Sequence, residues 1–357
     1  MAAALLALLL LAPDLLEVDF GTTTAQRVRL LRHAHPRVRA RAAMLLAHAP
    51  KDRAIAGLLA ALDDEEPAVR EQVAFALRAL GDERAVPFLV RRVGEEASAR
   101  VQAACLLALG ASGGAYAARA VAPFLEHPVR EVRAAAAQAL GRLGDASHRA
   151  SLWAALRFDP DDPGFFVRSS VLGAFVQLGW REEVERAVAE LEAAGALQHW
   201  YARTAIAGAV GRAGLAGRRA WLTALLDADE DPRVVAAASD SLARLGERDA
   251  VHARLGHASP DVRRAALVAL QQAGDPRGVE RASALVKEDP DPAVRFEAAL
   301  VLDHAGHPDA DLYLVDALKS NDASIWITAL ASLERRHGRS FGRDAAAWAN
   351  WLGGARR

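Results

Sequence analysis

VRAAAAQALGRLGD, residues Val132 to Asp145, is a stretch whose thinned copies recur along nearly the whole chain. Counting Val132 as offset 0, small and apolar residues at offsets 0, 4, 7, 8 and 11 fall on one face of a helix, because residues three and four apart lie side by side on a 3.6-residue turn. Ala136 and Ala139, at offsets 4 and 7, let a neighbouring helix come close. Gly144, at offset 12, supplies the left-handed residue that ends a helix. Closing glycines or their equivalents stand at Pro50, Gly81, Gly110, Gly144, Gly179, Gly214, Gly246, Gly274, Gly306 and Gly338, 28 to 35 residues apart. Twelve residues before each come Val38, Val69, Ser98, Val132, Val167, Ala202, Val234, Val262, Val294 and Trp326, and Arg follows at Arg39, Arg70, Arg133, Arg168, Arg203, Arg263 and Arg295. A period of about thirty residues marks an array in which each unit is covered by its neighbours.

Each unit reads as two helices, a shorter one such as Glu83 to Val93 and then the Val-Arg helix. In the turn between them, Glu66-Pro67, His127-Pro128, Asp162-Pro163, Asp231-Pro232, Ser259-Pro260 and Asp291-Pro292 put Pro at or near the first helical position, where its missing N–H costs nothing. Gly81-Asp82, Gly144-Asp145 and Gly274-Asp275 do the complementary job: Gly ends one helix and Asp caps the next.

The segment LDDEEPAVREQVAFALRALGDERAVPFL, Leu62 to Leu89, resembles the HEAT repeat, in the bacterial variety called HEAT-like or phycobilisome-lyase-type, and the resemblance covers about residues 22 to 350. It implies an all-α fold, an α-solenoid (a right-handed superhelix) of about ten helical-hairpin repeats, with protein binding as its usual activity. It also implies that Asp and Arg of the turn and second helix pair between neighbouring repeats, which gives structural work to Asp64 with Arg70 and to Asp291 with Arg295; Val235 and Ala99 stand where that arginine would be. FGRDAAAWANWL, Phe341 to Leu352, is similar to the Trp-containing end helix of bacterial HEAT-repeat proteins. Its Trp348 and Trp351 share a face, and their burial over a last core layer is expected.

The first residues, MAAALLALLLLAPD, hold about a dozen apolar side chains, too few to span a bilayer and about the length of a signal h-region. No Lys or Arg precedes the run and no small-x-small cleavage site follows before Asp14. This favours a helix capping the exposed end of the array, and a cytoplasmic protein; a signal would instead direct the chain to the periplasm or outside. The expected organisation is thus a cap or signal-like segment at 1–21, the solenoid at 22–340 and a Trp-containing cap at 341–357.

Catalytic chemistry finds no foothold. There is no P-loop or nucleophile elbow, the glycines fall at helix ends, and there is no His-Glu dipeptide of the kind the deoxyhypusine hydroxylases use to hold iron. The eleven histidines show no spacing to carboxylates that suggests zinc or di-iron. Cys105 is the one cysteine, and it stands where other repeats place Ala139 or Ala269, in the core. With 44 basic and 45 acidic residues and a net charge of −1, the chain lacks the clustered basic excess of a nucleic-acid protein. The expectation is a monomeric, non-catalytic protein-binding scaffold or adaptor with no catalytic residues, cofactor, metal, nucleic acid or membrane span. The competing expectation is a HEAT-fold enzyme, phycobilin-lyase-like or like the alkylation-repair DNA glycosylases.

Two features suggest where a protein partner would sit. If second helices stack side by side, each offset becomes a column, and offset 10 reads His48, Ala79, Ala108, Arg142, Gln177, Gly211, Arg244, Gln272, His304 and Arg336, turning long and polar after the third repeat. Aromatic residues also concentrate at Trp153, Phe158, Phe165, Phe166, Phe175, Trp180, Trp200, Tyr201 and Trp221, around the acidic, Pro-rich connection FDPDDPGFF, Phe158 to Phe166. A solvated helix face explains the first feature and a thicker local core the second. The candidate protein-binding residues are Arg142, Gln177, Arg244, Gln272, His304 and Arg336 on the column, with Phe165, Phe166, Trp200 and Tyr201 as aromatic anchors.

Overall fold

A computed structural model of the protein describes residues 20, 23–157, 165–307 and 309–355. Apart from Phe20, the expected cap or signal at 1–21 lies outside the described residues, as does the connection 158–166 apart from Phe165 and Phe166. Among the described residues the regular structure is helical throughout, an all-α solenoid of helical hairpins built from 21 α-helices. They fall into two compact units, Met1–Ala196 and Leu197–Arg357.

In the first unit the first helices of the hairpins are α1 (Thr24–Leu30), α3 (Lys51–Ala61), α5 (Val86–Glu95), α7 (Ala115–Val121), α9 (Arg149–Arg157) and α11 (Arg181–Ala193). The second helices are α2 (Pro36–Leu46), α4 (Pro67–Leu80), α6 (Ala99–Ser112), α8 (Arg130–Leu143) and α10 (Phe166–Gln177), and each packs on the next. In the second unit the second helices α12 (Trp200–Arg212), α14 (Pro232–Arg244), α16 (Pro260–Gln272), α18 (Pro292–His304) and α20 (Ala323–His337) stack in the same way. They alternate with α13 (Arg219–Ala228), α15 (Arg248–Ala253), α17 (Pro276–Glu288), α19 (Ala310–Ala317) and α21 (Ala345–Ala355).

The core is the apolar face read from the sequence. Val38, Val69, Val132, Val167, Val234 and Val294 are buried at offset 0, and Leu46, Leu77, Leu140, Leu242 and Leu270 at offset 8. Pro36, Pro67, Pro232, Pro260 and Pro292 each open a second helix. α16 ends through Gly274, whose φ of 64° lets the Asp275 N–H turn back to Leu270 O at 2.9 Å. Asp275 then caps α17, its Oδ1 accepting from the Arg277 N–H at 3.0 Å.

The third repeat departs from the expected register. α6 runs through Gly110 to Ser112 and turns at Gly113, with φ 88°. Gly110 is a contact glycine: a Cβ there would lie 2.7 Å from Ala139 Cα on α8. The buried opening residue is therefore Val101, and Ser98 is the N-cap residue. This places Gly113 32 residues after Gly81 and 31 before Gly144, which evens the spacing. Trp326, at the tenth opening position, is half-buried, and its neighbour Ile325 enters the core instead.

The arginines after the opening residue form a ladder, with partners other than those the resemblance implied. Arg263 donates through Nη1 to His257 O and Ala258 O of its own turn, at 2.7 and 2.9 Å. Its Nε and Nη2 donate to both oxygens of Asp289, in the next turn, at 2.7 Å. Asp289 Oδ1 also accepts from the Asp291 N–H at 2.9 Å, which fixes that turn. Arg39 with Asp64, Arg70 with Glu96 and Arg203 with Asp229 repeat the arrangement. Asp64 thus pairs with the arginine of the preceding repeat, and meets Arg70 only through its backbone oxygen. Asp291 caps α18 by accepting from the N–H groups of Ala293 and Val294, while Arg295 Nη1 donates to Asp289 O. At the end of the second unit Trp348 is fully buried, its Nε1 donating to Gly342 O at 3.0 Å.

Candidate interaction surface

On a second helix the residues at offsets 6 and 10 lie one turn apart and face the same way. Six polar residues of the expected column stand exposed: His48, Arg142 and Gln177 in the first unit, and Arg244, Gln272 and His304 in the second. Gln177 leans on the preceding helix, with its Oε1 so near Gly141 that a Cβ there would lie 2.8 Å from it. The His304 ring nitrogen Nδ1 lies 2.8 Å from Leu300 O.

Other members of the column move. With α6 in its true register, Ala111 replaces Ala108, which is fully buried. On α12 the exposed residue is Arg212 rather than Gly211; the latter is buried, and a Cβ on it would lie 2.6 Å from Ser241 Cα on α14. Arg244 is exposed but tied within its helix, its Nε donating to Asp240 at 2.7 Å. Arg336 leaves the recognition surface altogether. Its guanidinium bridges the buried carboxylates of Asp303 and Asp311 at 2.9 Å each, and His337 also reaches Asp311, at 3.0 Å. Two such acids inside an apolar stack need charged donors, so Arg336 is structural.

The aromatic cluster divides too. Phe165 is only 7% exposed and has φ 56°, with the Arg168 guanidinium over its ring. It is a buried helix-start residue and not the exposed anchor expected, and Phe166 is half-buried. Trp153, Phe175 and Trp180 pack in succession with tilted rings, their centroids 5.0 and 5.8 Å apart. That part of the concentration is a thicker core, since Phe175 is fully buried. Trp200 remains 39% exposed, with Tyr201 edge-on at 5.6 Å and the Arg233 guanidinium carbon 3.3 Å from its ring centre. Such a cation over an indole face holds the ring in place.

Four surface residues escaped the sequence reading: Phe75, 38% exposed at offset 6 of α4, Arg78 at offset 9 of the same helix, Leu107, half-buried at offset 6 of α6, and Arg212. Burial, and then the charge of Arg142, lower the pKa of Arg78. Burial, and then the charge of Arg244, lower that of Arg212, against the opposite pull of Asp240. Both guanidinia therefore sit among like charge. In the second unit burial also raises the Glu297 carboxyl, against the Arg264 guanidinium 3.7 Å away.

Other chemistry-bearing groups have structural work. His35, His127 and His257 accept through Nδ1 from the N–H two residues ahead and so cap their turns. Burial pushes the Cys105 thiol up to about 12. Among the described residues no three His, Cys, Asp or Glu side chains converge as metal ligands would, and no helix is long and apolar enough to cross a membrane.

The stacked hairpins are those of a known repeat. The family of HEAT repeats matches residues 25–110, 95–174 and 249–334, well over half of the chain. This chain belongs to the HEAT-repeat family. None of the curated proteins matches it. Among solved structures, the HEAT chain is similar to human deoxyhypusine hydroxylase in complex with glycerol, at 24% identity over 70% of this chain and 96% of that one, with a TM-score of 0.33. It is also similar to the complex of CpcE and CpcF of phycocyanin lyase from Nostoc sp., at 19% identity over 89% and 96%, with a TM-score of 0.35. A third likeness is to the karyopherin Kap121p bound to the extreme C-terminus of the protein phosphatase Cdc14p, at 15% identity and a TM-score of 0.44, over 87% of this chain and 41% of the karyopherin.

Proposed function

We propose that this HEAT-repeat chain is a protein-binding scaffold or adaptor that performs no chemistry of its own, needs no cofactor and works as a monomer. The partner is a protein, and it meets the exposed face of the second helices. What supports this reading most is how the arginines are used. Arg39, Arg70, Arg203 and Arg263, each in the first turn of a second helix, are spent on buried carboxylates, whereas Arg142 and Arg212 stand exposed with no ion pair among the described residues. Exposed Arg and Trp are the side chains that most often anchor protein interfaces, and Trp200 adds a ring already held by Arg233. Nucleic acid fits less well, because binding it takes a run of cations along a backbone and the chain has 44 basic against 45 acidic residues.

Affinity capture from the native cell, followed by titration of the captured protein, tests the reading. Arg142→Glu with Arg212→Glu should weaken that partner by about tenfold or more while the helical circular-dichroism signal and melt stay unchanged. Wild-type affinity in the folded double variant would place the site elsewhere. Steep salt-sensitive binding of duplex DNA by the purified chain would overturn the choice of partner.

A further inference from the structure

We infer that the second-helix face of the first unit, where α4, α6 and α8 lie side by side, docks an acidic protein segment, its carboxylates held between Arg78 and Arg142 and an apolar side chain set against Phe75 and Leu107. This rests on the protein-binding reading above and narrows it to one place and one partner chemistry.

α6 packs between α4 and α8. Toward this face it presents Leu107 and Ala111, which are four apart and both half-buried. Ala111 stands at offset 10, the position of Arg142 on α8 and one residue past that of Arg78 on α4. At the level of the two arginines the middle helix therefore offers nothing longer than a methyl group, which leaves room for an anion between them. Neither Arg78 nor Arg142 has an ion pair among the described residues, although Arg39 and Arg70, near the starts of α2 and α4, do. The acid closest in sequence on α4, Glu71, is already engaged by Arg100 at 3.2 Å. Gln138, one turn before Arg142, gives its amide to Ser170 at 3.3 Å. Among the described residues the face thus holds two cations outside any ion pair, close enough for Arg142 to disfavour the charge of Arg78. An anion placed between them removes that penalty, whereas a basic segment adds to it and a neutral one leaves it in place.

Phe75 and Leu107 give the second half of the recognition. Both stand at offset 6, one turn before the level of the arginines, on helices that pack side by side. Phe75 precedes Arg78 by three residues, so the two share a helix face, and it keeps 38% of its surface exposed. Two cations beside an apolar pair suit carboxylates spaced along an apolar segment. They are too few for a tracked phosphate backbone, which needs a continuous positive groove.

The test uses the full chain and a fluorescein-labelled peptide of alternating Glu and Leu, with Gln-Leu and Lys-Leu counterparts, read by fluorescence anisotropy at low and high salt. The Glu peptide should bind about tenfold more tightly than the Gln peptide, and the difference should shrink with salt. Arg78→Gln with Arg142→Gln should abolish the difference. Phe75→Ala should weaken the Glu and Gln peptides alike, and Arg119→Gln, on α7, should change neither. A circular-dichroism melt of each variant separates lost binding from lost fold. Equal binding of Glu and Gln peptides, a Glu preference that survives the double variant, or tighter binding of a poly-thymidine oligonucleotide than of the Glu peptide would each overturn the inference. If the peptide result fails while a captured protein still depends on Arg212, the scaffold reading stands and this site falls. A chain that binds the Glu peptide through these residues but captures no protein retires the scaffold reading instead.

Discussion

Arg263 on α16 and Asp289 in the following turn share two hydrogen bonds of 2.7 Å across 26 residues of sequence, and their side chains are only 9% and 2% exposed. Burial alone would raise the Asp289 carboxyl, but the hydrogen bonds from Arg263 and the Asp291 N–H, with the charge of Arg263, outweigh it and hold that carboxyl below its ordinary value. A pair this enclosed is costly to halve. Arg263→Met should destabilise the second unit by about 3–5 kcal/mol, because a buried carboxylate is left alone, and Asp289→Leu added to it should recover much of the loss. Urea melts of the two variants decide this; a single variant as stable as the double one would refute it.

Acid should weaken the protein in a defined window. Hydrogen bonds, first from the side chains of Arg84, Arg233 and Arg277, lower Asp82, Asp231 and Asp275 from 3.8 to about 2. Between those values the unfolded chain binds protons that the folded chain refuses, so stability is intact above about pH 4 and falls as pH drops toward about 2. Thermal midpoints measured across that range should show the loss, with a shallower slope in Asp275→Asn. A flat profile would count against these pairs.

Gly141 and Gly173 predict opposite outcomes for the same substitution. A Cβ on Gly141 would lie 2.7 Å from Ala174 Cα, whereas one on Gly173 would meet nothing within 4 Å. Gly141→Ala should therefore cost about 1–3 kcal/mol through overpacking, and Gly173→Ala should stabilise α10 by roughly 0.5–1 kcal/mol. Chemical denaturation compares them directly; equal effects would mean that α8 and α10 are not in close contact.

Cys105 should be chemically silent in the folded protein. Its thiol is fully buried and pushed up to about 12, so almost none is thiolate near pH 8 and none is accessible. A disulfide-exchange reagent should leave native protein untouched and titrate one thiol after unfolding in urea. Rapid reaction of the native protein would contradict the packing of α6.

Much of this architecture was legible because its causes are local. A buried Val opens the helix, a Leu eight residues on faces the same core, and Gly before Asp ends one helix and caps the next. Gly110 misleads because two demands call for the same residue: the left-handed turn is at Gly113, and Gly110 is needed where α6 touches α8. The ladder was legible as residue types but not as partners. Asp64 is six residues from Arg70, yet its carboxylate meets Arg39, 25 residues back. On the surface, Arg142, Arg244 and Arg336 look alike in sequence. Only their neighbours separate a cation with no ion pair among the described residues from one tied to Asp240 and one locked between Asp303 and Asp311. Phe165 likewise carries no mark in its residue type of whether its ring faces solvent or core.

The fixed reach of the ladder arginines bears on how such a chain changes over generations. Each of the four rungs among the described residues joins an arginine to a carboxylate 25 or 26 residues ahead, in the adjacent repeat. Duplicating or excising one whole repeat brings together an arginine and a carboxylate of the same kind, so the joint re-forms without new invention. Losing two or three residues inside a repeat shifts both members and strands a buried charge. Inheritance can therefore lengthen or shorten this array in whole repeats far more readily than in single residues.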